Sequence, residues 1–105
     1  MAGKVRYLAD SVILIDHLNG VGAATAFLDS NADRIAVSVI TRAEVLAGAR
    51  PRTLARLKRL LDLFPTLAIS TDIADRAAEL RRRHRWKLPD AFQAALAKHH
   101  RLRLA

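Results

Sequence analysis

A chain of 105 residues, 51% of them apolar, is long enough to bury a core and too apolar to be a disordered tail, so it reads as one domain. It holds no cysteine, which excludes disulfides, thiolate metal sites and a cysteine nucleophile, and fits a reducing cytoplasm. No stretch reaches the roughly 18 apolar residues of a membrane span, the first seven residues lack the apolar run of a secretion signal, and the net charge of +8 suits a polyanionic partner, either nucleic acid or an acidic protein.

Residues 4–9 read as a strand ending at Asp10. Residues 12–18 are apolar enough to continue it, yet Leu14, His17 and Leu18 also suit one face of a helix, and both readings stay open. Asn19-Gly20 breaks the chain. The Ala-rich stretch 22–28 reads as a helix, and 35–39, β-branched at alternate positions, as a second strand. Residues 41–49 predict a helix closed by Gly48 and Pro51. Residues 52–64 predict a basic amphipathic helix whose apolar face carries Leu54, Leu57, Leu61 and Phe64, with Leu60 beside them. A short strand at 67–70 follows. Thr71 or Asp72 opens a long helix to about Arg83, Pro89 opens another to about Lys98 or His99, and 102–105 reads as a fourth strand. Strands alternating with helices predict an α/β fold around a short parallel sheet, with no internal repeat and no linker.

Three carboxylates stand out: Asp10, Glu44 and Asp90. Each has a structural explanation. Asp10 can cap the helix after it. Glu44 lies three residues after Thr41, the spacing of a capping box. Asp90 follows a proline in a first helical turn, where the helix dipole favours negative charge. Together they suggest more. Asp10 ends the first strand, Glu44 sits about a turn into the helix after the second, and Asp90 opens the helix before the last. All three then lie at the carboxyl edge of the sheet, where open α/β folds place their ligand sites. Converging carboxylates repel unless a cation joins them, and a donor set of oxygen atoms suits Mg²⁺ or Mn²⁺.

Leu8-Ala-Asp10-Ser11-Val-Ile-Leu-Ile-Asp16 resembles the opening motif of PIN domains. Ala36-Val-Ser-Val-Ile-Thr41-Arg-Ala-Glu44-Val-Leu-Ala-Gly48 is similar to their second motif, and Lys87-Leu-Pro-Asp90-Ala-Phe-Gln-Ala-Ala95 to their third. The resemblance spans essentially the whole chain and points to the VapC-type toxins of toxin–antitoxin pairs. It implies a three-layer α/β/α sandwich with a short parallel sheet of four strands, and a Mg²⁺- or Mn²⁺-dependent endoribonuclease. Asp10, Glu44 and Asp90 would be the catalytic acids and metal ligands, and Ser11 a hydroxyl beside them that hydrogen-bonds a ligand or an acid. Asp16, though part of the first motif, reads as structural. The implied partners are an RNA substrate, an antitoxin whose arginine pairs with the acids, and a second copy of the chain packed through the apolar face of 52–64 and its neighbours.

Two departures bear on activity. The second position after Asp10, often Asn or Ser in the family, is Val12. The family's fourth acid would follow the last strand, beyond Ala105, so a chain of this extent is expected to hold Mg²⁺ more weakly. The rival reading from another class is a non-catalytic RNA- or protein-binding module that keeps the fold.

The charge is lopsided. Residues 1–49 carry four Lys or Arg against five Asp or Glu, and 50–105 carry fourteen against five. Arg42, Arg50, Arg52 and Arg56 are candidates for RNA phosphates, and 81–87 is a second basic segment; a solvated face is the plain alternative for both. Trp86 could stack on a base, or belong to the core or an interface. The four histidines form no metal spacing, and Gly20-Val-Gly22 lacks the strand and third glycine of a dinucleotide site.

Overall fold

The computed structural model describes residues 4–105; residues 1–3, the start of the stretch read for a leader, lie outside them. The chain runs β1 (Tyr7–Leu8), α1 (Ser11–Leu18), α2 (Gly22–Ser30), β2 (Ile35–Ser38), α3 (Val39–Ala47), α4 (Leu54–Leu61), β3 (Thr66–Leu67), α5 (Thr71–His84), α6 (Leu88–His100) and β4 (Arg103–Leu104), with single 3-10 turns at Ala32–Arg34 and Pro51–Thr53. The strands lie in the order β3-β2-β1-β4, every neighbouring pair parallel. Tyr7 and Leu8 align with Ile35 and Ala36 on one side, and with Arg103 and Leu104 on the other.

The handedness of crossovers places the helices. From β1 to β2 to β3 the chain steps in one direction across the sheet. From β3 it steps back past β2 and β1 to β4. Parallel crossovers are right-handed, so reversing the direction of travel moves the connecting helices to the other face. The packing follows. One apolar cluster joins Leu14, Leu28, Val45, Leu57, Leu61 and Phe64 to Ile35 and Val37 of β2. A second, on the opposite face, joins Leu8 to Ile73 and Ala77 of α5 and to Ala91, Ala95 and Leu96 of α6. The two-residue alternation of a strand separates them: Leu8 serves one layer, while Tyr7 packs against the other. The expected three-layer sandwich with four parallel strands is what the chain forms.

Several local readings resolve or shift. Residues 12–18 are helical, because Asp10 caps Ser11–Leu18 and accepts from the Ser11 N–H. Gly20, at φ +79°, lets that helix end in a tight turn, with the Gly20 and Val21 N–H groups donating to the His17 and Asp16 carbonyls. The third helix starts two residues before the expected Thr41. Its cap is Ser38, whose hydroxyl accepts from the Thr41 N–H at 2.9 Å, so the Thr41–Glu44 capping box does not form. The basic helix of 52–64 is shorter, since Pro51–Thr53 is a 3-10 turn and the α-helix ends at Leu61. Its apolar face, expected to meet a second copy, is spent on the chain's own core: Leu57, Leu61 and Phe64 are buried there. The large apolar side chains left exposed include Val12, Ile15, Val39 and Leu63. Among the described residues no single helix is long and apolar enough to cross a membrane.

Candidate active site

The direction of travel reverses between β1 and β4, and such a switch point opens a crevice at the carboxyl ends of the two strands. A cavity of about 380 Å³ lies there, lined by Asp10, Trp86, Asp90, Gln93, Ala94, Leu104 and Ala105. Asp10 comes two residues after β1, and its N–H donates to the Ala105 carbonyl at 3.1 Å, so the β1–β4 ladder fixes its backbone. Its carboxylate is partly committed: Oδ1 accepts from the Ser11 N–H at 2.7 Å, with the Ser11 hydroxyl 3.4 Å away. Ser11 itself is buried. Asp90 stands exposed in the first turn of α6, which begins at Leu88 with Pro89 as its second residue. Asp16 is half-buried on α1 and does not line the cavity.

Glu44 is placed differently. Because α3 begins at Val39, Glu44 is its sixth residue, roughly 8 Å up the helix axis from the sheet edge. It is exposed and outside the cavity lining. The structure therefore brings Asp10 and Asp90 to one cavity and does not bring Glu44 there. Among the described residues no group of three His, Cys, Asp or Glu side chains is spaced to hold a metal ion.

Beneath the acids runs a buried polar network whose members, Ser38, Thr41 and Gln93, fall within the second and third motifs. The Ser38 hydroxyl donates to Gln93 Oε1 at 2.5 Å, and Gln93 Nε2 donates to Thr41 Oγ1 at 3.0 Å. Thr41 Oγ1 lies 3.5 Å from the Ala9 carbonyl, beside Asp10. Ser38, Thr41 and Gln93 are all buried, and among the described residues no buried side-chain polar atom lacks a partner. The network ties β2 and α3 to α6, three residues past Asp90, and so fixes the helix that presents this acid. Apart from those motifs, its signal in the sequence is a lone glutamine among the small apolar residues of α6.

Arg42 of α3 is engaged in an ion pair, 2.8 Å from Asp62, whereas Arg50, Arg52 and Arg56 are exposed. A larger cavity, about 660 Å³, lies between α5 and the far end of α6, lined among others by Asp72, Glu79, Lys98 and His99. It stands roughly 13 Å along α6 from Asp90 and away from the switch point, so it is not where the converging acids are.

The PIN domain family profile matches residues 7–105. This chain belongs to the PIN domain family. Within that family, the chain is 37% identical to Ribonuclease VapC19 of Mycobacterium tuberculosis over 81 residues, 74% of this chain and 65% of that protein. It is 39% identical to Ribonuclease VapC10 of the same organism over 80 residues, 74% of this chain and 60% of that protein. The chain thus matches somewhat less than two thirds of the length of these curated relatives. Its fold superimposes on a chain of a toxin–antitoxin complex from Klebsiella pneumoniae with a TM-score of 0.86 and 39% identity, covering 93% of this PIN domain and 82% of that chain.

Proposed function

We propose that this PIN domain is the toxin of a toxin–antitoxin pair, a Mg²⁺- or Mn²⁺-dependent endoribonuclease acting in the cytoplasm. One observation carries the reading: Asp10 and Asp90, distant in sequence, face one cavity at the topological switch point of a parallel sheet. The VapC ribonucleases and the Klebsiella complex supply the reaction class and the kind of partner. The donor set suits a hard cation. Its oxygens come from carboxylates, and Mg²⁺ is commonly held by one or two carboxylates together with substrate phosphates and water. When bound, such an ion polarises a phosphodiester and makes an attacking water more acidic.

The chain's own residues do the rest. Asp10 and Asp90 would hold the cation, with one Asp10 oxygen steadied by the Ser11 N–H. The Ser38–Gln93–Thr41 network keeps α6, and with it Asp90, in register with β1. Glu44, exposed on α3, stands as an outer acid in this reading, reached only if RNA or a shift of α3 draws it in. Exposed Arg50, Arg52 and Arg56 would meet phosphates away from the cavity. An antitoxin arginine entering the cavity would pair with the two acids and exclude the cation. A second copy of the chain is a further proposed partner. With the α4 face buried, it would have to use exposed apolar residues such as Val12, Ile15, Val39 and Leu63, and a monomer at every concentration in sedimentation equilibrium would count against it.

The deciding test is calorimetric titration of Mn²⁺ into the wild type, Asp10→Asn, Asp90→Asn and Glu44→Gln, followed by cleavage of single-stranded RNA with and without the ion. Saturable binding lost in both aspartate variants and kept in Glu44→Gln is expected. A chain that binds no Mn²⁺ and cuts no RNA would instead be a non-catalytic module of the same fold, the reading that Glu44's absence from the cavity favours.

A further inference from the structure

Trp86 is the only tryptophan in the chain and lies in the connector between α5 and α6. It is 40% exposed and lines the same cavity as Asp10 and Asp90, with Ala94 and Leu104 as apolar neighbours. Its plane is set in advance. The His84 ring stacks on the indole with centroids 4.4 Å apart and planes 17° apart, and His84 does not itself line the cavity. The Arg81 guanidinium donates to the Trp86 carbonyl, and Arg85, in the left-handed conformation at φ 57°, turns the chain between the two helices. Arg81, Arg85 and Lys87 are exposed and adjoin Trp86 along the connector, whereas Arg83 pairs with Glu79 at 3.1 Å and, with Arg82, lines a separate cavity.

An exposed aromatic plane, stacked on a neighbouring ring and flanked in the chain by Arg85 and Lys87, beside a site that would take phosphate, is a combination that suits single-stranded nucleic acid. The ring offers a π-face to a base and the guanidinium groups offer charge to the backbone. A plane fixed beforehand also lowers the entropy lost on binding. A cavity of about 380 Å³ falls in the size range of small-ligand sites and so suits one nucleotide.

We infer that Trp86 is a nucleobase-stacking platform: a single-stranded RNA in the cavity lays one base on the indole while the neighbouring phosphate lies towards Asp10 and Asp90. The inference rests on the ribonuclease reading and deepens it, since it names the side of the cavity from which substrate is gripped. Because every base has a π-face, the platform accepts any of them, and it contributes affinity rather than sequence choice.

Trp86 reports on itself through its fluorescence. In EDTA, a single-stranded RNA hexamer of uridylate or adenylate is expected to quench the indole saturably, and base-free polyphosphate to leave it bright. Anisotropy of the labelled hexamer is expected to show binding weakened roughly fivefold to a hundredfold in Trp86→Leu and restored towards the wild type in Trp86→Phe. The quenching needs no variant, and circular dichroism confirms that both variants are folded. An indole left bright by RNA, equal quenching by polyphosphate, or native affinity in Trp86→Leu each overturns the inference. An indole that RNA leaves bright and a protein partner quenches does so too, and makes this face a protein surface. Failure of the ribonuclease reading is seen separately. Asp10→Asn and Asp90→Asn should quench at least as strongly as the wild type in EDTA, because each removes a negative charge from beside the phosphates, whether or not either substitution alters cleavage.

Discussion

At the scale of single residues, one side chain often has two tasks that substitution can separate. Asp10 caps α1 through the Ser11 N–H and presents a carboxylate to the cavity. Asparagine caps as well as aspartate does, but carries no charge. Asp10→Asn is therefore expected to keep the thermal midpoint while losing Mn²⁺ binding, and Asp10→Ala to lose about 1 kcal/mol of stability as well. Equal destabilisation by both would mean that the charge, and not the cap, holds the helix end. Ser38 is similarly divided: its hydroxyl accepts from the Thr41 N–H and donates to Gln93. Gln93→Leu leaves buried polar partners in Ser38 and Thr41 and should cost about 1–3 kcal/mol in urea unfolding. A double-mutant cycle with Ser38→Ala is expected to show coupling of about 1 kcal/mol; additivity would place the network's contribution elsewhere.

At the scale of elements, α4 shows how a pattern can be right about its face and silent about what the face meets. Leu57 and Leu61 share one side at helical spacing, and both are buried in this chain's core. Leu61 is fully buried, so Leu61→Ala should lower stability by about 2–5 kcal/mol, read as a shift of the urea midpoint. Leu63, two residues on and 74% exposed, should change by less than about 0.5 kcal/mol when replaced by lysine. A large loss there would reveal packing against another molecule in an assembly. The start of α3 matters in the same way. Serine and threonine both cap helices, and the sequence offers Ser38 and Thr41 three residues apart. The choice of Ser38 moves Glu44 from the first turn to the second, and so away from the cavity.

At the scale of the whole molecule, the basic half should dominate RNA affinity at low salt. In EDTA the logarithm of affinity should fall linearly with that of salt concentration, and Arg52→Glu with Arg56→Glu should lower the slope by about 0.7 for each phosphate no longer neutralised. An unchanged slope would leave 50–56 as a solvated face. The fold class, the element order outside residues 12–18 and the positions of Asp10 and Asp90 were determined by the sequence alone, because hydrophobic period, turn residues and strand-end acids are local signals. Three features were decided only by tertiary structure. The strand order β3-β2-β1-β4 sets the switch point and hence the cavity between Asp10 and Asp90. The pairing of Gln93 with Ser38, 55 residues away, is a meeting no local pattern encodes. Trp86 comes to wall the acid-lined cavity, although its sequence reads more readily as core or interface, because the α5–α6 connector is carried to the carboxyl edge of the sheet. Each depends on which distant segments meet, and that is set by sheet order and crossover handedness, not by the spacing of residues along the chain.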